Sequence, residues 1–156
     1  MLEVKFYDSI DDSLLKFAVI ISQSNGKWVF CKHKERDTFE VPGGHREAGE
    51  NILETAKREL QEETGAIKFD IKPVCVYSVT GKTRVNDTGE ESFGGLYFAE
   101  ISESAKELHS EMEKVVLMDE LPDNWTYPLI QPKLIEKYLQ IERQTYSKIQ
   151  LAQSKL

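Results

Sequence analysis

The sequence predicts an α+β fold, a sandwich in which helices flank a mixed sheet. Three observations carry that reading. Bulky apolar runs bounded by turn residues recur along the chain, a 3.6-period apolar stripe occupies one central segment, and a second stripe lies near the C-terminus. Residues 1–156 are expected to form a single domain, since two separate cores cut from so short a chain would each be small.

Residues 2–7 alternate weakly and suit an edge strand, broken by Ser9-Ile10-Asp11-Asp12-Ser13. Leu14–Ser22 is dense in bulky apolar residues and predicts a buried strand. Asn25-Gly26 is a tight-turn pair, so Lys27–His33 is the returning strand of a hairpin. Thr38–Val41 is a short extended piece stopped by Pro42-Gly43-Gly44. Asn51–Thr64 is the clearest helix: Leu53, Ala56 and Leu60 recur at spacings of three and four, Glu54 and Arg58 pair at i, i+4, and Gly65 ends it. Residues 66–80 contain strand-like stretches interrupted near Pro73. A polar loop over Gly81–Glu91 precedes a strand at Gly95–Ile101. Ser102–Glu113 is a polar loop or short helix, and Val115–Met118 another strand. From Pro132 onward, Leu134, Ile135, Tyr138 and Leu139 form a helical stripe, with fraying expected after about residue 150.

Hydrophobic residues make up 40% and charged residues 30%, which suits a globular chain and not a disordered one. The net charge of −7 argues against a partner held mainly by electrostatics, such as a nucleic-acid polymer or an acidic membrane surface. No apolar run is long enough to span a bilayer, and the N-terminal residues lack the basic-then-apolar pattern of a signal peptide, so the expected compartment is the cytoplasm. Cys31 and Cys75 sit in apolar surroundings and are expected to be buried free thiols, with one structural disulfide as the alternative, and are too few for a metal site. The expected oligomeric state is a monomer or a homodimer.

The chemistry concentrates in residues 44–65. Glu59, Glu62 and Glu63 stand three and four positions apart, so their carboxylates project from one side of the helix. Such a cluster is either a solvated acidic face or a site for a hard cation. Mg²⁺ takes oxygen ligands and is often shared between carboxylates and a substrate phosphate, and a glycine-rich turn beside the helix allows a phosphate chain to approach the backbone.

The segment resembles the Nudix box: Gly, five residues, Glu, seven residues, Arg-Glu-aliphatic, one residue, Glu-Glu, one residue, Gly, aliphatic. Gly44, Glu50, Arg58, Glu59, Leu60, Glu62, Glu63 and Gly65 match it, and Ala66 is smaller than the usual last residue. Pro42-Gly43 suits the approach to the box. At average composition such a coincidence arises on the order of once in a million chains. The resemblance implies a Nudix-type α/β/α sandwich with a catalytic loop-helix-loop and a C-terminal helix. It implies that Glu59, Glu62 and Glu63, helped by the Gly43 carbonyl, hold Mg²⁺ (or Mn²⁺), that Arg58 orients one of these carboxylates, and that Glu50 acts across the loop–helix junction. The implied reaction is hydrolysis of a phosphoric anhydride in a small nucleotide. The implied general base is a box glutamate such as Glu63 or one from a later segment, where Glu107, Glu111 and Glu113 stand as candidates for an extra base or ligand, Glu111 foremost, the alternative for all three being a solvated charge in a broadly charged segment.

Substrate markers lie downstream and are weak. The region Ser78–Lys82 holds no proline of the kind placed there by ADP-ribose hydrolases, and Tyr77 is early for a dinucleoside-polyphosphate hydrolase. The run Phe39-Glu40-Val41-Pro42-Gly43-Gly44 is similar to nucleoside triphosphate pyrophosphohydrolases of the MutT type, some of which act on 8-oxo-dGTP. Arg36 is a candidate to steer phosphates, with His33 and Lys34 beside it, the alternative being a solvated hairpin end. Asn124, Trp125 and Tyr127 are candidates to grip a base, with Trp125 and Tyr127 alternatively anchoring the last helix. His45 is assigned no role. The competing readings are a Nudix hydrolase of ADP-ribose, a nucleotide sugar or a dinucleoside polyphosphate, and an inactive nucleotide-binding regulatory module.

Overall fold

The computed structural model describes residues 2–83, 86–105 and 112–155. Among them run β1 (Glu3–Tyr7), β2 (Leu15–Ser24), β3 (Lys27–His33), β4 (Phe39–Glu40), β5 (Gly43–His45), α1 (Ile52–Thr64), β6 (Ala66–Thr80), β7 (Ser92–Ser104), β8 (Met112–Met118) and α2 (Gln131–Ser154). The strands lie in the order β1-β6-β7-β2-β3-β4, with β5 joined to β2 and β8 to β3. The sheet is mixed because β2 and β7 run parallel while the other pairs are antiparallel. The architecture is therefore α+β, as the sequence predicts.

Successive strand residues point to opposite sides of a sheet, and here both sides are apolar. Ile20, Val29, Val76 and Tyr97 pack with Ile52, Ala56 and Leu60 of α1. Their sequence neighbours Ile21, Phe30, Tyr77 and Leu96 pack with Leu134, Ile135 and Tyr138 of α2. Each fully buried Leu, Ile or Phe stabilises the fold by about 1.5–3 kcal/mol. The Asn25-Gly26 turn has both residues at positive φ, 54° and 76°, which matches the right-handed twist of the β2–β3 hairpin.

Several elements depart from expectation. The buried stripe of α1 is Ile52, Ala56 and Leu60, whereas Leu53 is 37% exposed. Leu53-Ala56-Leu60 and Ile52-Ala56-Leu60 both satisfy helical spacing, and only the docking angle against the sheet selects between them. β5 is a strand made largely of glycine, which strand propensity disfavours. Pro73 does not interrupt β6. The strand continues through it, with a register irregularity between Pro73 and Cys75. β7 extends through Ser104, and residues 106–111 lie outside the described part. α2 is helical through Ser154. Both cysteines are free; Cys31 is buried and Cys75 half-buried.

Candidate functional site

The site begins where β5 lies against β2, pairing Gly43 with Val19, Gly44 with Ala18 and His45 with Phe17. A Cβ on Gly43 would stand 2.7 Å from the Ala18 carbonyl oxygen, and one on Gly44 would overlap the Glu59 carboxylate. Glycine at both positions lets the backbone meet the helix side chains directly. The Gly43 N–H donates to Glu63 Oε1 at 2.7 Å, and Glu63 is only 6% exposed. Glu59 and Glu63, one helical turn apart, thus both face this turn, while Glu62 lies further out with half its side chain exposed.

The start of α1 is built to hold these groups in place. Asn51 accepts a hydrogen bond from the Glu54 N–H at 2.8 Å, and Glu54 accepts one from the Asn51 N–H at 3.1 Å, a reciprocal capping box. Gly65, at φ 74°, closes the other end through its N–H to the Gln61 carbonyl. Glu54 is therefore occupied by capping, and the expected Glu54–Arg58 pair is replaced. Arg58 instead donates from Nε and Nη2 to Glu50 at 2.6 and 3.1 Å, and from Nη1 to Glu59 at 2.7 Å and Glu62 at 3.4 Å. Its Nη2 also reaches the His45 carbonyl at 2.9 Å. Glu50 further accepts from the Glu47 N–H and the Thr55 hydroxyl, both at 2.9 Å. The Arg58 guanidinium, then these donors, hold the Glu50 carboxyl down at about 2. Arg58 is correspondingly raised by Glu50.

Beside the turn opens a cavity of about 630 Å³. Gly43, Glu59 and Glu63 form part of its wall, as do Arg36 and Tyr127. Asn124 and Trp125 are not among its lining residues. Asn124 is exposed and donates to the Asp37 carbonyl at 2.8 Å. Trp125 packs edge-on against Phe30 at 5.4 Å, bridges to Phe39 and anchors the segment before α2. Glu50, Arg58 and Glu62 stand behind or beside the wall and are likewise outside the lining. Glu107 and Glu111 fall outside the described residues, as does the side chain of Glu113.

The cavity also contains Glu40 and Gln131, which the sequence did not single out, and Tyr77, weighed there only as a substrate marker. Glu40, 7% exposed, lies 3.3 Å from Arg36 Nη1, and burial raises its carboxyl above the ordinary value. Gln131, at the start of α2, accepts from the Val41 N–H at 3.0 Å. Tyr77 is buried, and desolvation raises its phenol. Glu40 sits one residue before Val41-Pro42-Gly43-Gly44, which was a usable signal; Gln131 carries none, because α2 brings it in from far along the chain.

The acidic groups suit a hard cation in kind. The side-chain donors at the Gly43–Gly44 turn are carboxylate oxygens, and the two glycines leave a cradle that a Cβ would fill. Among the described residues no three acidic, His or Cys side chains converge to chelating distances in this conformation, since Arg58 reaches both Glu59 and Glu62.

A family model described as the NUDIX domain matches residues 13–138. The chain is 34% identical over 123 residues to a Bacillus subtilis (strain 168) protein named "Putative 8-oxo-dGTP diphosphatase YtkD", an alignment covering 78% of this chain and 73% of that protein. The fold superposes on a mutant of the Bacillus subtilis pyrophosphohydrolase BsRppH with a TM-score of 0.74 at 28% identity, covering 92% of this chain and 90% of that one. A C. elegans Ap4A hydrolase shares the fold, with a TM-score of 0.60 at 15% identity over 85% of this chain and 99% of that one.

Proposed function

The chain belongs to the NUDIX family of hydrolases, and from that membership we propose that it cleaves the α–β anhydride of a nucleoside triphosphate with a guanine-type base. 8-oxo-dGTP is the leading substrate, and the products are a nucleoside monophosphate and pyrophosphate. The observation that carries this reading is the continuity of one cavity, which joins the Glu59 and Glu63 carboxylates to a chamber holding Glu40, Tyr127 and Gln131.

In this reading Glu59, Glu62 and Glu63, with the Gly43 carbonyl, would hold Mg²⁺ or Mn²⁺. When bound, the cation neutralises phosphate oxygens and lowers the pKa of the attacking water. Glu63, fixed by the Gly43 N–H, is the carboxylate best placed to take a proton as the water oxygen bonds to phosphorus and the bridging P–O bond breaks. Arg58 keeps Glu59 and Glu50 in fixed rotamers and does not itself meet the substrate. Arg36 lies on the cavity wall, where its charge favours a polyphosphate in a chain of net charge −7.

Base selection falls to Glu40. A carboxylate accepts from two adjacent donors, which guanine offers at N1 and N2 and adenine does not. Tyr127 supplies an aromatic face in the same chamber. The relative named for 8-oxo-dGTP supports the same choice.

The test is a substrate panel with Mg²⁺: 8-oxo-dGTP, dGTP, ADP-ribose and a diadenosine polyphosphate, with products identified. The expected result is the highest kcat/KM for 8-oxo-dGTP, one inorganic pyrophosphate per turnover, and loss of activity with EDTA. A preference for ADP-ribose or the diadenosine compound, with no pyrophosphate formed, overturns the substrate assignment.

A further inference from the structure

Arg46 follows β5 directly and ties together three segments. Its N–H donates to the Lys16 carbonyl at 2.8 Å, prolonging the β5–β2 contact. Its guanidinium donates from Nε to the Glu50 carbonyl at 2.7 Å, and from Nη1 to the Asp12 and Leu15 carbonyls at 2.6 and 3.3 Å. Nη2 pairs with Asp12 Oδ2 at 2.7 Å. The other oxygen of Asp12 accepts from the Ile52 N–H at 3.2 Å, so a residue forty positions upstream caps the first turn of α1 alongside Asn51. Asp12 and Arg46 therefore hold both ends of the Arg46–Ile52 loop. Glu50, whose backbone carbonyl is one anchor point, carries the carboxylate that grips Arg58, and Arg58 in turn sets Glu59.

We propose that Asp12 and Arg46 are positioning residues, a clamp that sets the metal-holding carboxylates through Glu50 and Arg58. The inference rests on the reading of Glu59, Glu62 and Glu63 as cation ligands. It differs from a direct contact between Arg46 and substrate phosphate, which the place of Arg46 on the cavity wall would otherwise suggest. Asp12 separates the two, because it belongs to the clamp and is not a lining residue of the cavity.

The experiment titrates the full chain with Mn²⁺ alone, followed by electron paramagnetic resonance, for wild type, Asp12→Ala, Arg46→Ala, the double variant, Arg46→Lys and Asp12→Asn. Steady-state kinetics and thermal melts accompany each. Residues that orient metal ligands typically change affinity by about 10–100-fold. The expected result is an Mn²⁺ affinity about tenfold weaker in either alanine variant, with the double variant no worse than the weaker single one. kcat falls while KM moves little, and Arg46→Lys recovers part of the loss. Asp12→Asn, which keeps an acceptor for Ile52 and loses the ion pair, weakens Mn²⁺ in a protein that stays folded. Unchanged Mn²⁺ affinity in all variants overturns the clamp, as does a rise in KM confined to the Arg46 variants. Wild type that binds no Mn²⁺ overturns the metal reading, and the clamp with it.

Discussion

Glu50 meets Arg58 through two hydrogen bonds, and that pair makes stability depend on acid in a defined window. Its carboxyl is lowered from an ordinary 4.5 to about 2 in the folded protein. A depressed carboxyl contributes its stabilisation in full above the unfolded value and loses it as pH falls toward the folded one. Thermal melts of wild type and Glu50→Gln are therefore expected to differ by a constant amount from pH 7 to about 5, and to converge between about 4.5 and 2. A gap that persists to pH 2 contradicts the assignment. Glu40 acts with the opposite sign, since burial raises its carboxyl and its contribution fades as pH rises. Two substitutions probe the reacting centre. Glu62→Gln is expected to lower turnover by at least about 100-fold with circular dichroism unchanged, the loss seen when one preorganised electrostatic contact to a reacting group is removed. Gly44→Ala places a methyl where the Glu59 carboxylate lies. The obstacle is the end of a side chain and not backbone, so the variant is expected to fold with Glu59 displaced and to require more Mg²⁺ for half-maximal rate; an unchanged Mg²⁺ requirement counts against the cradle.

At the scale of the element, α1 carries three acidic groups at spacings where like charges repel by a few tenths of a kcal/mol per pair. Its ends offset this. Asn51 and Glu54 form the capping box, and Gly65 takes the left-handed conformation that other residues adopt only at a cost. Asn51→Ala is expected to lower the unfolding free energy by about 1 kcal/mol in urea titrations. Gly65 was legible in the sequence as the end of the helix, whereas the Asn51–Glu54 capping box was not read there, because Glu54 also satisfies the i, i+4 spacing to Arg58. Leu53 was misassigned to the buried face because helical periodicity gives the width of a stripe, and Ile52 and Leu53 are adjacent apolar candidates for its edge. β5 was not legible either: its glycines serve close approach to Glu59, Glu63 and β2, a demand that arises only once those partners are assembled.

The whole molecule is a sheet with an apolar layer on each side, one closed by α1 and the other by α2. Leu60 is fully buried in the α1 layer, beneath the helix that presents the carboxylates. Leu60→Ala is expected to reduce the unfolding free energy by about 2–5 kcal/mol in urea, the range for a cavity left in a packed core. A loss below about 1 kcal/mol would mean that α1 rests loosely on the sheet. Phe98 stacks on Tyr138 at 4.6 Å and 3°, which fixes the first turns of α2 and hence the place of Gln131 at the cavity.

The sequence by itself determined the fold class, the hairpin at Asn25-Gly26, the Gly65 stop of α1 and the segment that carries the carboxylates. Periodicity, a tight turn and a helix stop are set by residues close together in the chain, so local spacing states them, and the resemblance of residues 44–65 to a known motif adds the role of the carboxylates. Tertiary structure alone decided that Glu40, Tyr127 and Gln131 share a cavity with Glu59 and Glu63, and that Trp125 anchors the chain outside it. It also decided that Asp12 reaches the start of α1. The Val41–Gln131 hydrogen bond spans 90 positions, and such a contact exists only after a sheet has folded between its ends.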